Sequence, residues 1–350
     1  MQTFDLIVIG AGSGLNISSA AADRGLKVAV VEKGPMGGTC LNRGCIPSKI
    51  IIHSADVAET IKKSSLFGIK SKISSIDFAK ITGRASNIVD KDAKHIEQGI
   101  KEDKNTTLFK AEARFVADRT LKTGKETIKG NKVIIAAGTR PSVPNIEGLK
   151  DVDFITSDEA LRLRKQPKSM TILGGGYIAA ELAHFYGALG TKISIIQRRD
   201  VLIPNEDYEI AEKFTEIFRK KYNVLLGYDA TKVTKKGKKF VVVAKSKKKS
   251  KKLISDQLLV AAGRIPNTDL LDVAKTNVEV DKNGFVKTNE YLETTAKNTW
   301  ALGDIVGKYL FKHSANLEAE YAYYNAVLGK KLKVDYTEMP HAILSSPQVA

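Results

Sequence analysis

The chain has 350 residues, is 43% hydrophobic and carries a formal net charge of +17. This length is sufficient for two or three domains with a sizeable buried core. No apolar run approaches the roughly 18 residues of a membrane span, and the N-terminus shows neither a basic region nor a cleavage site, so we expect a cytoplasmic protein without a signal peptide.

The first elements predict a βαβ unit. A strand-like apolar run at 6–9 leads into a glycine-rich turn, a helix of small residues is expected near 15–24, and a second apolar strand follows at 27–31. Short buried strands joined by helical crossovers are typical of a parallel sheet.

The glycine-rich turn predicts a dinucleotide site. Gly10 and Gly12 permit a tight turn and a close approach of the backbone to a pyrophosphate, and Glu32 at the second strand end is placed to bind ribose hydroxyls. Leu15 stands where the third glycine of G-x-G-x-x-G is usual, so we expect slightly looser packing between helix and strand.

Both cysteines of the chain lie just after this unit, in Gly37-Gly-Thr-Cys40-Leu-Asn-Arg-Gly-Cys45-Ile-Pro-Ser-Lys49. Two cysteines in a large chain favour a redox or metal role over structural disulfides, and no further cysteine pair or histidine cluster completes a zinc set. Cys45 is expected to begin a helix, where the N-terminus and the lysine one turn on would lower the pKa of a thiolate.

A second βαβ unit is predicted further along the chain. After an antiparallel piece at 113–129 and a buried strand at 132–138, the segment 170–181 shows a strand, the turn Gly174-Gly-Gly176 and a helix, and another strand follows at 192–196. Each unit closes on a strand with an Ala-Ala-Gly turn, at Gly138 and at Gly263. The chain therefore contains two related dinucleotide folds.

The second strand end carries Gln197, followed by Arg198 and Arg199. An acidic residue here would accept a hydrogen bond from the adenosine 2′-hydroxyl, whereas two guanidinium groups suit a 2′-phosphate. This favours NADPH over NADH, although exposed arginines are often only solvated.

A lysine-rich segment at 232–252 contains eleven lysines. We interpret it as a solvated hairpin around a short apolar strand. Lysine outnumbers arginine 44 to 12 in the chain. Arginine is better suited to bidentate contacts with phosphate, so nucleic-acid binding is not expected.

The run Trp300-Ala-Leu-Gly-Asp304 is predicted to belong again to the first dinucleotide fold. The fold class is thus predicted as α/β, with two Rossmann-like, three-layer domains, the NAD(P) domain being inserted in the FAD domain. The expected boundaries are an FAD-binding domain at 1–147, an NAD(P)-binding domain at 148–264, the second part of the FAD domain at 265–336, and at 337–350 the start of a further domain.

The cysteine run with its neighbouring motifs resembles the flavoprotein disulfide reductases, and most closely the dihydrolipoamide dehydrogenase type, whose signature is similar to G-G-T-C-L-N-x-G-C-I-P-S-K. The resemblance implies FAD and NAD(P)H as cofactors, with no metal. It implies that Cys45 contacts the flavin as the charge-transfer thiolate, that Cys40 exchanges with the substrate disulfide, and that Lys49 near the flavin pairs with Glu181 of the second dinucleotide helix.

The resemblance also implies two sets of cofactor-binding residues. Those for FAD are Gly10, Gly12, Gly14, Glu32, Lys33, Gly38, Thr39, Lys49, Ala113, Gly138, Asp304 and Ala315. Those for NAD(P) are Gly174, Gly176, Tyr177, Ile178, Glu181, Gln197, Arg198, Arg199 and Gly263, with Tyr177 covering the flavin until the nicotinamide displaces it.

The leading functional hypothesis is electron transfer between NAD(P)H and a small-molecule or lipoyl-domain dithiol or disulfide. One alternative is an NADPH-dependent reductase of a low-molecular-weight disulfide or of mercuric ion. Another is a flavin-binding protein with only dye-reducing activity, because the family carries a C-terminal dimerisation domain that supplies a histidine–glutamate pair, and the sequence stops near its first strand. A family homodimer is expected, with most of that interface outside the sequence.

Overall fold

The computed structural model describes residues 1–350 and contains sixteen strands and eight α-helices. The strands are β1 Gln2–Ile9, β2 Val28–Val31, β3 Thr106–Phe109, β4 Ala113–Ala117, β5 Thr120–Thr123, β6 Glu126–Ile135, β7 Thr139–Pro141, β8 Ser169–Leu173, β9 Lys192–Gln197, β10 Asn223–Leu226, β11 Asp229–Lys236, β12 Lys239–Lys245, β13 Ser250–Ser255, β14 Gln257–Val260, β15 Arg264–Pro266 and β16 Thr299–Ala301. The helices are α1 Gly14–Ala22, α2 Gly38–Arg43, α3 Cys45–Lys63, α4 Phe78–Glu102, α5 Ser157–Ala160, α6 Tyr177–Ala188, α7 Tyr208–Lys221 and α8 Lys312–Ala322.

The chain divides into two compact units. Unit 1 consists of Met1–Cys45, Ile88–Arg140 and Arg264–His341, and unit 2 consists of Ile46–Asn87, Pro141–Gly263 and Ala342–Ala350. The predicted domain boundaries, which follow the two nucleotide motifs, stay predictions.

Unit 1 is built on a sheet of seven strands. Its parallel part runs β3-β2-β1-β6, with β16 beside the second half of β6, while β5 and β4 continue antiparallel from the first half of β6. The central strand β1 is buried from Leu6 to Ile9, as expected for a parallel strand covered on both faces. Parallel strands align their carboxyl ends, so the loops after β1, β2 and β16 carry the site residues of this unit.

Unit 2 repeats this plan on a smaller scale. Its parallel sheet has the order β10-β9-β8-β14, and α6 is almost wholly buried in the core that covers it. The alanines and the glycine of α6 explain this burial, because small side chains let a helix approach a sheet closely. The fold class predicted from the sequence is confirmed.

The lysine-rich segment forms an antiparallel sheet of the order β11-β12-β13. Phe240, Val241 and Val242 of the central strand are buried, whereas the lysines are exposed. Three of these lysines form salt bridges, namely Lys232 with Glu147, Lys235 with Asp153 and Lys239 with Asp256. The hairpin interpretation is therefore correct, extended by a third strand.

The packing of α1 differs from expectation. A Cβ added to Gly14 would lie 2.8 Å from Val8 Cγ1 and 3.0 Å from Ala136 Cβ, so the helix touches the sheet at this residue. The expectation of looser packing, drawn from Leu15, is wrong because the glycine one position earlier supplies the close contact.

No helix of the chain is both long enough and apolar enough to cross a membrane.

Candidate redox-active site

Cys40 and Cys45 lie on either side of the break between α2 and α3. Cys40 is in α2, Cys45 is the first residue of α3, and Gly44 between them separates the helices. Both are half-buried, and their sulfurs are not bonded to each other. The predicted helix start at Cys45 is confirmed, whereas the short helix that carries Cys40 was not predicted.

The surroundings of Cys40 favour its protonated form. The pKa of the Cys40 thiol is raised, first by a hydrogen bond with Cys45, then by burial and by the charge of Cys45. Lys312 acts in the opposite direction and lowers the pKa of Cys40.

The expected ion pair between Lys49 and Glu181 is present in unit 2. Lys49 Nζ donates to both carboxylate oxygens, at 2.7 and 2.9 Å, and the backbone N–H of Leu344 donates to Oε1 at 3.0 Å. Glu181 is buried on α6, so its charge depends on these donors. The ammonium of Lys49, which was expected to lower the pKa of a thiolate, is therefore paired with the carboxylate of Glu181.

The loop before α1 fits the pyrophosphate of a dinucleotide. Ser13 gives the helix no side-chain cap, so the first N–H groups are left for an anion. A Cβ on Gly38 would lie 2.7 Å from Gly12 Cα, which shows that two backbone segments approach each other here without side chains. Thr39 follows Gly38 in α2 and is exposed.

Glu32, directly after β2, binds the backbone of this loop through hydrogen bonds. Its carboxylate accepts from the N–H groups of Ala11 at 2.9 Å and Gly34 at 2.6 Å. The neighbouring Lys33 forms an exposed ion pair with Glu112, directly before Ala113. The structure therefore brings these predicted FAD residues to one edge of the sheet.

Asp304 lies after β16 in a pocket of polar partners. Thr139 Oγ1 donates to Oδ2 at 2.9 Å, Arg264 Nε lies 3.9 Å from the same oxygen, and Oδ1 accepts no hydrogen bond from the protein. Burial raises the pKa of Asp304, while Arg264 and Thr139 act to lower it. The side chain of Asp304 keeps 22% of its surface exposed, so Oδ1 is open to a donor such as a hydroxyl of FAD.

Two further predicted residues lie near this turn. Ala315 on α8 is buried, and its Cβ would lie 3.3 Å from a Cβ added to Gly303. Gly138 adopts a φ of +62° with open space where a side chain would point. Together with the uncapped α1 and Glu32, these features fit FAD, and the individual roles stay predictions.

Glu318 is a buried carboxylate that the sequence analysis missed. It accepts from the N–H of Gly303 and, at 2.8 Å, from the hydroxyl of Tyr336, whose ring lies 3.6 Å from Lys308 Nζ. Burial, in the first place, raises its pKa to about 7, and the charge of Asp304 adds to this effect. Nothing in the pattern around an isolated glutamate on a predicted helix indicates such burial.

We expect Glu318 to make the stability of the protein depend on pH. Its pKa rises from 4.5 unfolded to about 7 folded, so its contribution is fully present below pH 4.5 and is lost as the pH rises through 7. Glu318→Gln should therefore gain about 3 kcal/mol relative to wild type between these limits, measured by urea unfolding. Glu320→Gln, an exposed change on the same helix, is the control, and an equal pH dependence in wild type and Glu318→Gln would contradict the assignment.

The second nucleotide motif lies in unit 2 at the start of α6. Gly174 has a φ of +110°, Gly176 precedes the helix, and Tyr177 and Ile178 are its first residues, partly buried against the core. Gly263 follows β14 with a φ of +112° and open space around it. The structure brings these predicted NAD(P) residues to the carboxyl end of one sheet.

The three residues after β9 have different surroundings. Gln197 is buried, and its amide accepts from Arg198 N and donates to Val201 O. Arg199 donates to Pro204 O at 3.3 Å, whereas Arg198 is exposed and its guanidinium has no partner in the protein. Arg198 is thus the arginine that remains available to an anion.

A cavity of about 510 Å³ is present in unit 1. It lies between α1 and α4, and Gly37, Leu41 and Lys312 form its wall next to α2. The rest of its lining comes from Gly12, Leu15, Asn16, Ser18, Ser19, Ile96, Gly99, Ile100, Asp103 and Thr106. The sequence analysis did not predict this cavity.

Comparisons with known proteins agree with this geometry. The chain is 33% identical over 350 residues to a mercuric reductase of Staphylococcus aureus and 34% identical over 362 residues to a mycothione reductase of Mycobacterium tuberculosis. These matches cover 99% and 100% of the chain, and 64% and 78% of the relatives. The chain thus spans less than two thirds of the mercuric reductase.

A solved structure has the same fold. The Cu(II) complex of the HOCl-induced flavoprotein disulfide reductase RclA from Escherichia coli superimposes with a TM-score of 0.88 at 26% identity, over 99% of this chain and 76% of that one. A dihydrolipoyl dehydrogenase of Bacillus subtilis is 33% identical over 354 residues, 99% of this chain and 74% of its own. Mercuric and mycothione reductases are equally close, so the comparisons do not select a substrate.

The family model for pyridine nucleotide-disulphide oxidoreductases matches residues 4–322. Members are FAD-dependent and use NAD(P)H, which confirms the predicted cofactors. With two nucleotide motifs, a thiol pair and this match over most of its length, the chain belongs to the pyridine nucleotide-disulphide oxidoreductase family.

Proposed function

We propose that the protein transfers electrons between NAD(P)H and a dithiol or disulfide of the dihydrolipoamide type, through Cys40 and Cys45. The observation that carries the proposal is the thiol pair itself, in which Cys45 begins α3 and forms a hydrogen bond with Cys40. When bound, FAD would supply the electron transfer between the nicotinamide and the pair. A cytoplasmic location is part of the proposal, since a reducing compartment keeps such a pair as thiols.

The proposed exchange assigns a separate step to each sulfur. Cys40 first loses its proton to water, and its thiolate attacks one sulfur of the substrate disulfide, forming a mixed disulfide and releasing the first substrate thiolate. Cys45 then attacks Cys40, which closes the internal disulfide and releases the second thiolate. The substrate gains two electrons, the pair loses two, and water supplies the protons of the products.

The proposed substrate class is tested by turnover of the FAD-loaded chain. We expect NAD(P)H oxidation with lipoamide to exceed that with a glutathione-type disulfide and with mercuric ion. Dye reduction on the same preparation is the control, because it requires the cofactors but not the thiol pair. Fast dye reduction without turnover of any disulfide would contradict the proposal.

A second candidate is an NADPH-dependent reductase of a low-molecular-weight disulfide, which the exposed and unpartnered Arg198 favours. We expect Arg198→Ala to raise the KM for NADPH by about tenfold, since a charge-assisted hydrogen bond contributes about 1.5 kcal/mol or more. The KM for NADH should be unchanged. Arg199→Ala is the matched control, because its guanidinium already binds Pro204 O, and an equal effect on both nucleotides would refute phosphate recognition.

A further inference from the structure

The sheet β11-β12-β13 of unit 2 has one covered edge and one open edge. Beside β11 lies Glu147, whose backbone oxygen accepts from the N–H of Val233 at 2.8 Å. On the other side, β13 pairs with β12 alone, and the backbone of 251–254 forms no hydrogen bond outside this pairing. Because β13 has six residues, the open edge offers about 20 Å of strand.

The lysines of this sheet fall into two groups. Three form salt bridges with carboxylates of the same unit, namely Lys232, Lys235 and Lys239. Six others, on the open edge and the turn that leads into it, are exposed and form no salt bridge: Lys245, Lys247, Lys248, Lys249, Lys251 and Lys252. Asp229, opposite Lys245, is the only acidic residue in the three strands. The positive charge at this edge is therefore not balanced within the sheet.

The side chains of β13 divide between two faces, because successive residues of a strand point in opposite directions. Leu253 packs against the core of the sheet, where it lies opposite Val242. Lys252 and Ile254 share the other face, and Ile254 is 60% exposed. A strand added here would thus meet a cation and an apolar side chain two residues apart on one face.

We propose that the edge of β13 binds an extended acidic segment of a partner protein, which adds a fourth strand to the sheet. The unpaired N–H and C=O groups of a strand edge are complemented by another backbone, and alternate side chains supply the specificity. Carboxylates of the segment lie beside the lysines, and an apolar residue covers Ile254. Such binding requires neither the thiol pair nor the nucleotide motifs, so it is independent of the proposed function.

The composition of this edge favours a polypeptide over a nucleic acid. Residues 245–255 contain no arginine and no aromatic residue. Arginine makes the bidentate contacts with phosphate, and aromatic rings provide the surfaces on which single-stranded bases stack. A nucleic acid also lacks the peptide groups that would pair with the open edge of β13.

The test uses a peptide of five Glu-Val repeats, titrated by calorimetry into the FAD-loaded protein at low salt. Replacing Lys248, Lys249 and Lys252 together by Gln should raise the Kd by about tenfold, because three exposed ion pairs of ordinary strength are lost. The matched control replaces Lys70, Lys72 and Lys165 by Gln, which removes the same charge from exposed lysines of unit 2 that form no salt bridge. This control should leave the Kd essentially unchanged.

A second peptide separates strand addition from general charge attraction. Five Glu-Pro repeats carry the same charge but lack every second backbone donor, so they should bind about tenfold more weakly or worse. The Glu-Val peptide should also slow hydrogen exchange of the amides of 250–255. Absence of binding, equal Kd values for the two lysine variants, or equal binding of the two peptides would overturn the inference. Tighter binding of an oligothymidylate of matched length would overturn it in favour of a nucleic-acid surface.

Discussion

Cys45→Ser should reduce NAD(P)H-dependent disulfide turnover by on the order of 10³-fold or more. A serine hydroxyl does not ionise near neutral pH, so the mixed disulfide on Cys40 would have no neighbouring thiolate to resolve it. Cys45 is at the start of α3, where the helix N-terminus favours an anion. The variant should still reduce dyes, which bypass the thiols.

Cys40→Ser is the matched control for the roles of the two sulfurs. It should also lose disulfide turnover, but the thiolate on Cys45 should persist without the hydrogen bond from its partner. Long-wavelength absorbance of the FAD-loaded protein should therefore be retained in Cys40→Ser and lost in Cys45→Ser. Identical spectra of the two variants would show that the roles are assigned wrongly.

Gly174→Val should destabilise the protein by about 3 kcal/mol or more and remove reduction by NAD(P)H. The residue has a φ of +110°, and an added Cβ would lie 2.2 Å from Ala261 O. A β-branched side chain fits neither the backbone conformation nor the space, and the contact is with backbone, which cannot move aside cheaply. Thermal unfolding and the rate of reduction by NAD(P)H measure the two effects.

Gly176→Ala is the control for stability, two residues further along the same turn. Its φ is −81°, and a Cβ there would meet no atom within 4 Å. It should leave the melting temperature essentially unchanged. Equal destabilisation by both substitutions would mean that the loop tolerates no side chain for a reason other than the contact with Ala261.

The sequence predicted those parts of the molecule that depend on local pattern. Glycine spacing and apolar runs indicated both βαβ units. The repeated Ala-Ala-Gly turn is the segment that each first glycine touches: a Cβ on Gly10 would lie 2.3 Å from Ala136 O, and one on Gly174 would lie 2.2 Å from Ala261 O. The helix start at Cys45 and the pair Lys49–Glu181 were likewise predictable, because motif positions fix them.

The sequence could not predict contacts between residues far apart in the chain. Lys312 meets Ser13 across 299 positions, and Glu318 becomes buried only because Tyr336 and the Gly303 turn fold over it. Such contacts arise from tertiary packing, which residue spacing does not encode.

The lysine-rich sheet has a consequence for the behaviour of the protein in concentrated solution. β13 pairs only with β12, so its outer edge presents unpaired backbone groups, and Ile254 on this strand is 60% exposed. An edge of this kind is a template for aggregation, and positive charge such as that of Lys251 and Lys252 prevents a second copy from docking. Acetylation of these lysines, or screening by high salt, would therefore promote edge-to-edge association of otherwise correctly folded molecules.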